Sequence, residues 1–423
     1  MMTKIAVMQK CQLSHSSRIL SLWKSPSVMP SGWIYSMNRT ASAYLMLSAV
    51  SLSMWSASAS AQMRIGVDIA VTGPAAAIGA PTKNAILLWP KEIAGQKVEY
   101  IILDDASDPT NAVRNARKLV SEEKVDLIVG PNTTPAALAM LDVAAAAETP
   151  MVALAASASI GEPQDAKRAW VFKLPQNDSH MATILTQHMA DNGIRTAGFI
   201  GFADAYGDSW WREFSRLAEL RKIKVVASER YNRNDTSVTG QILKIMAAQP
   251  DAVLIAGSAT PAVLPQKTLV ERGYKGRIYQ THGIATADFL KVGGKDVEGT
   301  FFPTGPAVVA KQLPASNPVR KTALEFTRRY EAAYGADTMT QFAADAWGAY
   351  ILIANAVPQA LKSGSPGTKQ FRAALRSALE NTHDLTIPQG VVNMNAKDHV
   401  GLDQRSRVMG RIVNNKFTYA YGG

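Results

Sequence analysis

The sequence predicts an α/β protein built on doubly wound parallel sheets. From Gln62 onward, short β-branched runs alternate with longer segments of helical periodicity, which is typical of repeated strand-helix units. The strand runs are almost continuously apolar, as expected of parallel strands that helices cover on both faces. The predicted strands are 64–70, 98–103, 125–129, 150–154, 196–201, 224–227, 252–256 and 277–280.

Helix start signals support this alternation. Asp108 is a predicted N-cap in front of a helix over 110–122, and Asn177 or Asp178 caps a helix over 179–192. The pattern changes after the eighth strand, where a Pro-rich run leads into a helical block and short strand-like pieces close the chain. The predicted segments of this last part are helices 319–334, 340–361 and 368–381, and strand pieces 390–394, 406–412 and 417–421.

Residues 37–61 read as a cleavable export signal. Arg39 supplies a positive start, residues 43–55 form an apolar core, and Ala59-Ser60-Ala61 is a small-residue cleavage pattern. The core is shorter than the about 20 residues of a membrane span. We therefore predict a periplasmic protein that begins at Gln62, with no cysteine there to carry a lipid anchor.

Residues 1–36 are a doubtful upstream extension, because such signals normally begin at the first methionine. Met37 is the expected start, and a genuine long N-terminal region is the alternative. Without residues 1–61, which contain five Lys/Arg and no acid, 40 basic side chains face 34 acidic ones, and the net charge is +6 rather than +11. No basic cluster with interleaved aromatics indicates nucleic-acid binding. The only cysteine, Cys11, is removed, which excludes disulfides and thiolate metal sites.

Candidate binding residues follow the strands, because ligands of parallel sheets bind beyond the carboxyl ends of strands. Thr134 follows strand 125–129 as a predicted N-cap, and a helix N-terminus can hold a carboxylate, although plain capping explains it as well. The small residues Ala155 and Ser157 follow the next strand, where a ligand can approach the backbone. Ile78 lies in the loop that would form one wall of the same crevice.

The second half of the chain offers a matching set. Asp204 and Tyr206 follow strand 196–201, Ser258 follows strand 252–256, and His282 follows strand 277–280. These strand ends would face the first half across a cleft. A lone histidine is also well explained as a structural residue. The prediction that His282 contacts the ligand therefore depends on its position at a strand end.

No catalytic residues, cofactor or metal site are predicted. The chain has no H-E-x-x-H, G-x-S-x-G, G-x-x-x-x-G-K-[ST] or strand-linked G-x-G-x-x-G motif. The adjacent carboxylates Asp104 and Asp105 point in opposite directions on a strand, which argues against a shared acid-base role.

Five runs of the sequence share a distinctive order and spacing. They are Asp104-Asp105-x-x-Asp108-Pro109, Gly130-Pro131-x-x-Thr134, Ala155-Ala156-Ser157, Tyr206-Gly207 and 289–299 with its Gly293-Gly294. In this order and spacing the chain resembles the periplasmic branched-chain amino acid binding proteins, the type I solute-binding components of ABC importers. The late runs 371–380 and 398–405 resemble a subgroup that also takes up aromatic acids.

The resemblance implies two Rossmann-like lobes joined by a hinge of three chain crossings. Lobe 1 would comprise 62–177 with 305–391, and lobe 2 would comprise 178–304 with 392–423. A monomer would capture a small-molecule carboxylate by hinge closure and deliver it to ABC permease subunits. A diffusible sensory module with the same fold is a second alternative.

The resemblance also implies that Thr134, Ala155 and Ser157 hold the ligand carboxylate and that Tyr206 packs against the ligand. The sequence departs from the family at His282, where amino acid binders carry an acid that pairs with the ligand ammonium. Burying an unpaired ammonium costs several kcal/mol. We therefore expect an aromatic acid, such as a benzoate or phenolic acid, ahead of keto or aliphatic acids. The alternative is an aliphatic amino acid whose ammonium pairs with Asp204.

Overall fold

The computed structural model describes residues 62–422, so the predicted signal at 37–61 and the extension at 1–36 lie outside the described residues. Strands and helices alternate over most of this range. The strands are β1 (Met63–Ile69), β2 (Glu92–Ile93), β3 (Gln96–Asp104), β4 (Leu127–Val129), β5 (Met151–Ala153), β6 (Val171–Lys173), β7 (Thr196–Phe202), β8 (Lys224–Tyr231), β9 (Ala252–Ala256), β10 (Arg277–Gln280), β11 (Phe301–Thr304), β12 (Leu385–Ile387), β13 (Gly390–Val392), β14 (Val408–Val413) and β15 (Lys416–Gly422). The helices are α1 (Ala76–Leu87), α2 (Pro109–Ser121), α3 (Thr134–Ala146), α4 (Asp178–Asp191), α5 (Ala205–Leu220), α6 (Thr239–Ala247), α7 (Val263–Glu271), α8 (Ala287–Gly293), α9 (Arg320–Tyr334), α10 (Gln341–Ala360) and α11 (Lys369–Glu380).

Two sheets organise the chain. The six-stranded sheet has the order β2-β3-β1-β4-β5-β6, and the seven-stranded sheet has the order β15-β14-β11-β10-β9-β7-β8. Pairing is parallel except at β2, β14 and β15, which join antiparallel to their neighbours. The strand order reverses next to β1 and β7, which creates the edge where ligands bind in open parallel sheets. The predicted α/β fold is therefore confirmed.

Each sheet carries helices on both faces. In the first sheet, Val67 packs with Phe326 and Leu352 of the late helices on one face, while Ile128 packs with Met140 on the other. This alternation along neighbouring strands explains why the strand runs read as continuously apolar. The six-stranded sheet with its helices is called lobe 1 below, and the seven-stranded sheet with its helices is called lobe 2.

The end of the chain differs from the prediction. Met394, Val400 and Leu402 pack into the core of lobe 1, although 392–423 was assigned to lobe 2. His399 explains this placement, because its carbonyl accepts a hydrogen bond from the Lys173 backbone at the edge of the first sheet, 3.0 Å long. The third crossing therefore lies between Leu402 and β14. The other predicted lobe boundaries stay predictions.

The sequence patterns missed four strands, namely β2, β6, β11 and β12. The sequence predicted no strand at the Pro-rich run where the strand-helix pattern changes, but β11 pairs there with β10 on one side and β14 on the other. β6 has only three residues, too few for a period to be recognised. Helix caps were predicted better, since Asp108 accepts hydrogen bonds from the backbone of Thr110 and Asn111 and Asn177 precedes α4.

Candidate ligand-binding cleft

A cavity with about 390 Å³ of empty space, its solvent-filled mouth included, lies between the carboxyl ends of the strands of the two lobes. Two predicted residues, Ser157 and Asp204, do not line the cavity. The six predicted residues that line it are Ile78, Thr134, Ala155, Tyr206, Ser258 and His282.

The lobes touch each other beside the cavity. Ser157 of lobe 1 donates from its hydroxyl to the hydroxyl of Ser209 on α5, 2.9 Å away. Ala259 of lobe 2 packs in one apolar cluster with Ile78 and Phe342 of lobe 1. These contacts hold the two lobes together at one side of the cavity. Ser157 stands outside the cavity lining because this interlobe bond occupies its hydroxyl.

The wall of lobe 1 centres on the start of α3. The N-cap is Thr133, whose backbone is extended, and Thr134 is the first helical residue, so the predicted cap is wrong by one position. Neither threonine makes a side-chain capping bond. The Thr134 hydroxyl is buried and has no partner among residues 62–422. It is therefore available to a ligand together with the free N–H groups of the first turn.

A second part of this wall consists of main chain and small side chains. Leu154, Ala155 and Ala156 follow β5 directly and line the cavity. Asn132 lies beside them, but its oxygen accepts from the Ala70 backbone at 3.1 Å and its nitrogen donates to a lobe 1 hydroxyl at 3.3 Å. Asn132 thus holds the scaffold of lobe 1 through both its amide oxygen and its amide nitrogen.

The wall of lobe 2 is made of side chains whose orientation is fixed by hydrogen bonds to other side chains. Tyr206, in the first turn of α5, bonds through its hydroxyl to the Thr281 hydroxyl, 2.7 Å away. Thr281 in turn donates to the Gly257 carbonyl at 2.7 Å, so Tyr206 is the donor in its own bond. The phenol oxygen keeps a free acceptor site, and its ring forms a fixed face of the cavity.

His282 lies next to Tyr206 and is 2% exposed. Burial, together with a smaller contribution from the positive charge of Lys173, lowers the pKa of His282 to about 3. Its ring lies 5.8 Å from the ring of Trp210, centroid to centroid, and its Nδ1 has no partner among the described residues. His282 is therefore a neutral imidazole with an unused nitrogen.

Arg233 is a cavity residue that sequence reasoning missed. Its Nε donates to the Asp204 carboxylate at 2.7 Å, its Nη1 donates to the Ser258 hydroxyl at 3.2 Å, and its guanidinium lies 4.1 Å from the ring centroid of Phe202. Among the lining residues that the structure describes, Arg233 is the only Lys or Arg.

This arrangement also explains why Asp204 stands outside the lining. Besides its ion pair with Arg233, the Asp204 carboxylate accepts from the backbone of Tyr206 and Gly207 at the start of α5, at 2.8 and 3.2 Å. An ammonium ligand would have to compete with these partners for the same oxygens. Asp204 therefore serves as a clamp that fixes Arg233 and α5.

The first turns of α10 complete the cavity with Gln341, Phe342 and Asp345. One carboxylate oxygen of Asp345, Oδ1, accepts from the Gln389 amide at 3.0 Å, and Oδ2 has no partner among residues 62–422. Burial raises the pKa of Asp345 to about 7, while the Gln389 hydrogen bond and the Lys173 charge oppose this rise. The cavity thus contains a buried acid that sequence reasoning also missed.

A known protein family matches almost the whole described part of the chain. The profile of the family described as periplasmic binding protein matches residues 62–411. The chain belongs to the periplasmic binding protein family. Among curated relatives of this periplasmic binding protein, Leu/Ile/Val-binding protein homolog 3 of Brucella melitensis is 24% identical over 297 residues, which cover 69% of this chain and 78% of that protein.

Solved structures agree with this assignment. An extracellular ligand-binding receptor from Rhodopseudomonas palustris HaA2 is 45% identical, with a TM-score of 0.82 over 85% of this chain and 100% of that chain. A solute binding protein of an ABC transporter from Rhodopseudomonas palustris BisB5, in complex with 3,4-dihydroxy benzoic acid, is 20% identical, with a TM-score of 0.72 over 85% of this chain and 96% of that chain. At that identity the second likeness supports the fold alone. Within residues 62–422, no helix has the length and apolarity to span a membrane.

Two signals in the sequence could have revealed the missed residues of this periplasmic binding protein. The predicted strand 224–227 stops short, whereas β8 continues to Tyr231 and places Arg233 just beyond a strand end. Asp345 is the one charged residue of the otherwise neutral α10. A buried acid in an apolar helix is a recognised sign of a functional site.

Proposed function

We propose that this periplasmic binding protein captures a small carboxylate without a free α-amino group, with an aromatic acid such as a benzoate or phenolic acid favoured, for an ABC importer. The observation that carries the proposal is the charge of the lobe 2 wall. Arg233 supplies a fixed cation there, His282 is neutral, and the Asp204 carboxylate is engaged. An α-ammonium on this wall would face like charge with no free acid, which costs several kcal/mol.

The rest of the cavity supports an aromatic acid. The free N–H groups and the Thr134 hydroxyl at the start of α3 offer hydrogen bonds to a carboxylate, which the helix dipole also favours. Tyr206, Phe342 and Ile78 provide apolar faces for a ring. Aromatic side chains gain most from a flat partner, through stacked or edge contacts.

Binding would proceed by closure of lobe 2 over a ligand held on lobe 1. Tyr206, Arg233 and His282 then reach the ligand, and the Ser157–Ser209 bond forms between the lobes. These contacts exist only in the closed form, so the ligand shifts the population toward it. The closed monomer, exported through the predicted signal at 37–61, would then dock on a membrane permease of the importer. Identical scattering profiles with and without a tight ligand would refute closure.

A second candidate function is uptake of an aliphatic amino acid. Asp345 favours it, because a buried acid in the cavity could pair with an α-ammonium. The name of the Leu/Ile/Val-binding relative agrees with this candidate.

A thermal-shift screen separates the two candidates. Benzoates, keto acids and branched-chain amino acids are each added to the mature protein, and a ligand at 100 times its Kd stabilises it by about 2.7 kcal/mol. We expect benzoates or related aromatic acids to raise Tm. A rise with leucine or valine, and none with any aromatic acid, would overturn the proposal.

A further inference from the structure

Asp345 is positioned to contact a ligand and has one oxygen without a partner. It lines the cavity, is 1% exposed, and its Oδ2 accepts no hydrogen bond from any described residue. Buried carboxylate oxygens are normally hydrogen-bonded, and each exception requires an explanation. A hydrogen-bond donor on the ligand would supply the missing partner.

The Asp345 side chain is held in one orientation. Gln389 is fully buried and donates to Oδ1 of Asp345 at 3.0 Å and to the Gln341 carbonyl at 3.3 Å. The oxygen of the Gln389 amide accepts from the Ala307 backbone at 3.4 Å, which determines which end of the amide faces Asp345. Since Gln389 presents a donor to Oδ1, Oδ2 is the atom left for a ligand.

The neighbouring amides of the cavity bond to partners other than Asp345 Oδ2. Gln341 accepts from Thr304 and Gly305, both at 3.0 Å, and its nitrogen donates to Gln176 at 3.3 Å. The Asn132 nitrogen donates within lobe 1. None of these amides donates to Asp345 Oδ2, and the unpaired atom is an acceptor in a wall that otherwise offers donors for a carboxylate.

We propose that Asp345 is a specificity-determining residue that accepts a hydrogen bond from a hydroxyl group on the ligand, at a distance from its carboxylate. The ligand class is then a hydroxylated aromatic acid. This inference rests on the proposed function, since it presupposes that an aromatic acid binds in the cavity. The wall of lobe 1 thereby binds both ends of the ligand, the carboxylate at α3 and the hydroxyl at α10.

The first test uses the wild-type protein and pairs of matched ligands. Isothermal titration compares 4-hydroxybenzoate with benzoate and 4-methoxybenzoate, and 3-(4-hydroxyphenyl)propanoate with 3-phenylpropanoate for a longer reach. A hydrogen bond to a charged acceptor corresponds to about 10- to 100-fold in Kd. Above about pH 8, where the Asp345 carboxyl with its pKa of about 7 is ionised, the hydroxylated member of at least one pair should therefore bind more tightly by that factor. The methoxy compound keeps the oxygen but cannot donate, and it should bind no better than benzoate.

The second test uses Asp345→Asn. Gln389 presents a donor, so the new amide turns its oxygen toward Gln389 and its NH₂ toward the ligand. The preference for the hydroxylated acid should fall to about 3-fold or less, while the non-hydroxylated acid keeps its affinity. Asp126→Asn is the matched control, because Asp126 is a buried acid of lobe 1 that precedes β4 and receives hydrogen bonds from backbone N–H groups. It should retain the full preference.

The outcomes separate the inference from the proposed function. If wild type binds hydroxylated and plain acids equally, or if Asp345→Asn keeps the preference, the inference is overturned and the proposed function stands. If leucine binds and Asp345→Asn abolishes that binding, Asp345 pairs with an ammonium and both are overturned. The wild-type ligand series decides the question even if the variant does not fold.

Discussion

The two walls of the cavity recognise a ligand by different means. The wall of lobe 1 at α3 uses backbone N–H groups and small side chains, with Thr134 as the main polar side chain. The wall of lobe 2 uses large side chains that are each held by a second one, as Asp204 holds Arg233 and Thr281 holds Tyr206. A backbone site tolerates changes of side chain, whereas a side-chain site can be reprogrammed by one substitution. Ligand specificity should therefore be concentrated in lobe 2 and in α10.

The largest predicted effect is an opposite response of the two walls to pH. The pKa of Asp345 in lobe 1 is raised from 3.8 to about 7, so its stabilising contribution is present below pH 3.8 and is lost as pH rises toward 7. The pKa of His282 in lobe 2 is lowered from 6.5 to about 3, so its contribution is present above pH 6.5 and is lost as pH falls toward 3. Each difference corresponds to at most about 5 kcal/mol.

Two variants measure this contrast. Relative to wild type, Asp345→Asn should gain stability as pH rises from 4 to 7.5, and His282→Gln should gain stability as pH falls from 7 to 4. Denaturant unfolding at several pH values gives the free energies, and the comparison with wild type cancels other titrating groups. Parallel pH profiles for both variants would contradict the assignment of opposite shifts.

The next effect concerns the cation of the lobe 2 wall. Arg233→Gln should weaken binding of an aromatic acid by about 100-fold, since removing one partner of a desolvated charge pair costs about 2–5 kcal/mol. Arg230→Gln is the control, because Arg230 lies on β8 shortly before Arg233, has its guanidinium 5.0 Å from the Phe199 ring and does not line the cavity. Titration calorimetry of both variants gives the ratio. Equal losses would show that Arg233 acts only through the general charge of lobe 2.

A smaller effect is expected at the wall of lobe 1. Thr134→Val removes one hydroxyl but leaves the backbone donors of α3, so affinity for the same acid should fall by about 1–2 kcal/mol. Thr134→Ser keeps the hydroxyl and should bind within about 3-fold of wild type. If Thr134→Val weakens binding as much as Arg233→Gln does, the contrast between the two walls is wrong.

The smallest effect is expected at the contact between the lobes. Ser157→Ala and Ser209→Ala each remove one hydroxyl of the interlobe bond, and each should lower ligand affinity by about 1 kcal/mol. Because they break the same bond, the double variant should lose little more than either single variant. Fully additive losses, measured by calorimetry, would show that the two hydroxyls act independently.

The sequence predicted the parts of the fold and site that depend on local pattern. The apolar runs located the long strands, Asp108 located a helix start, and strand ends located Tyr206 and His282. β6 was missed because three buried residues have no recognisable period. Thr134 was predicted as the N-cap but is the first helical residue, since the two adjacent threonines offer the same capping chemistry.

By itself, the sequence determined the α/β class, the family resemblance and most of the strand ends that surround the cavity, because burial periodicity and turn chemistry act over a few residues. Only the tertiary structure decided which polar groups stay free there. Asp204 and Ser157 became scaffold residues, while Arg233 and Asp345 entered the cavity. The physical reason is that hydrogen-bond partners are chosen in competition among residues distant in the chain, and only the assembled lobes settle that competition.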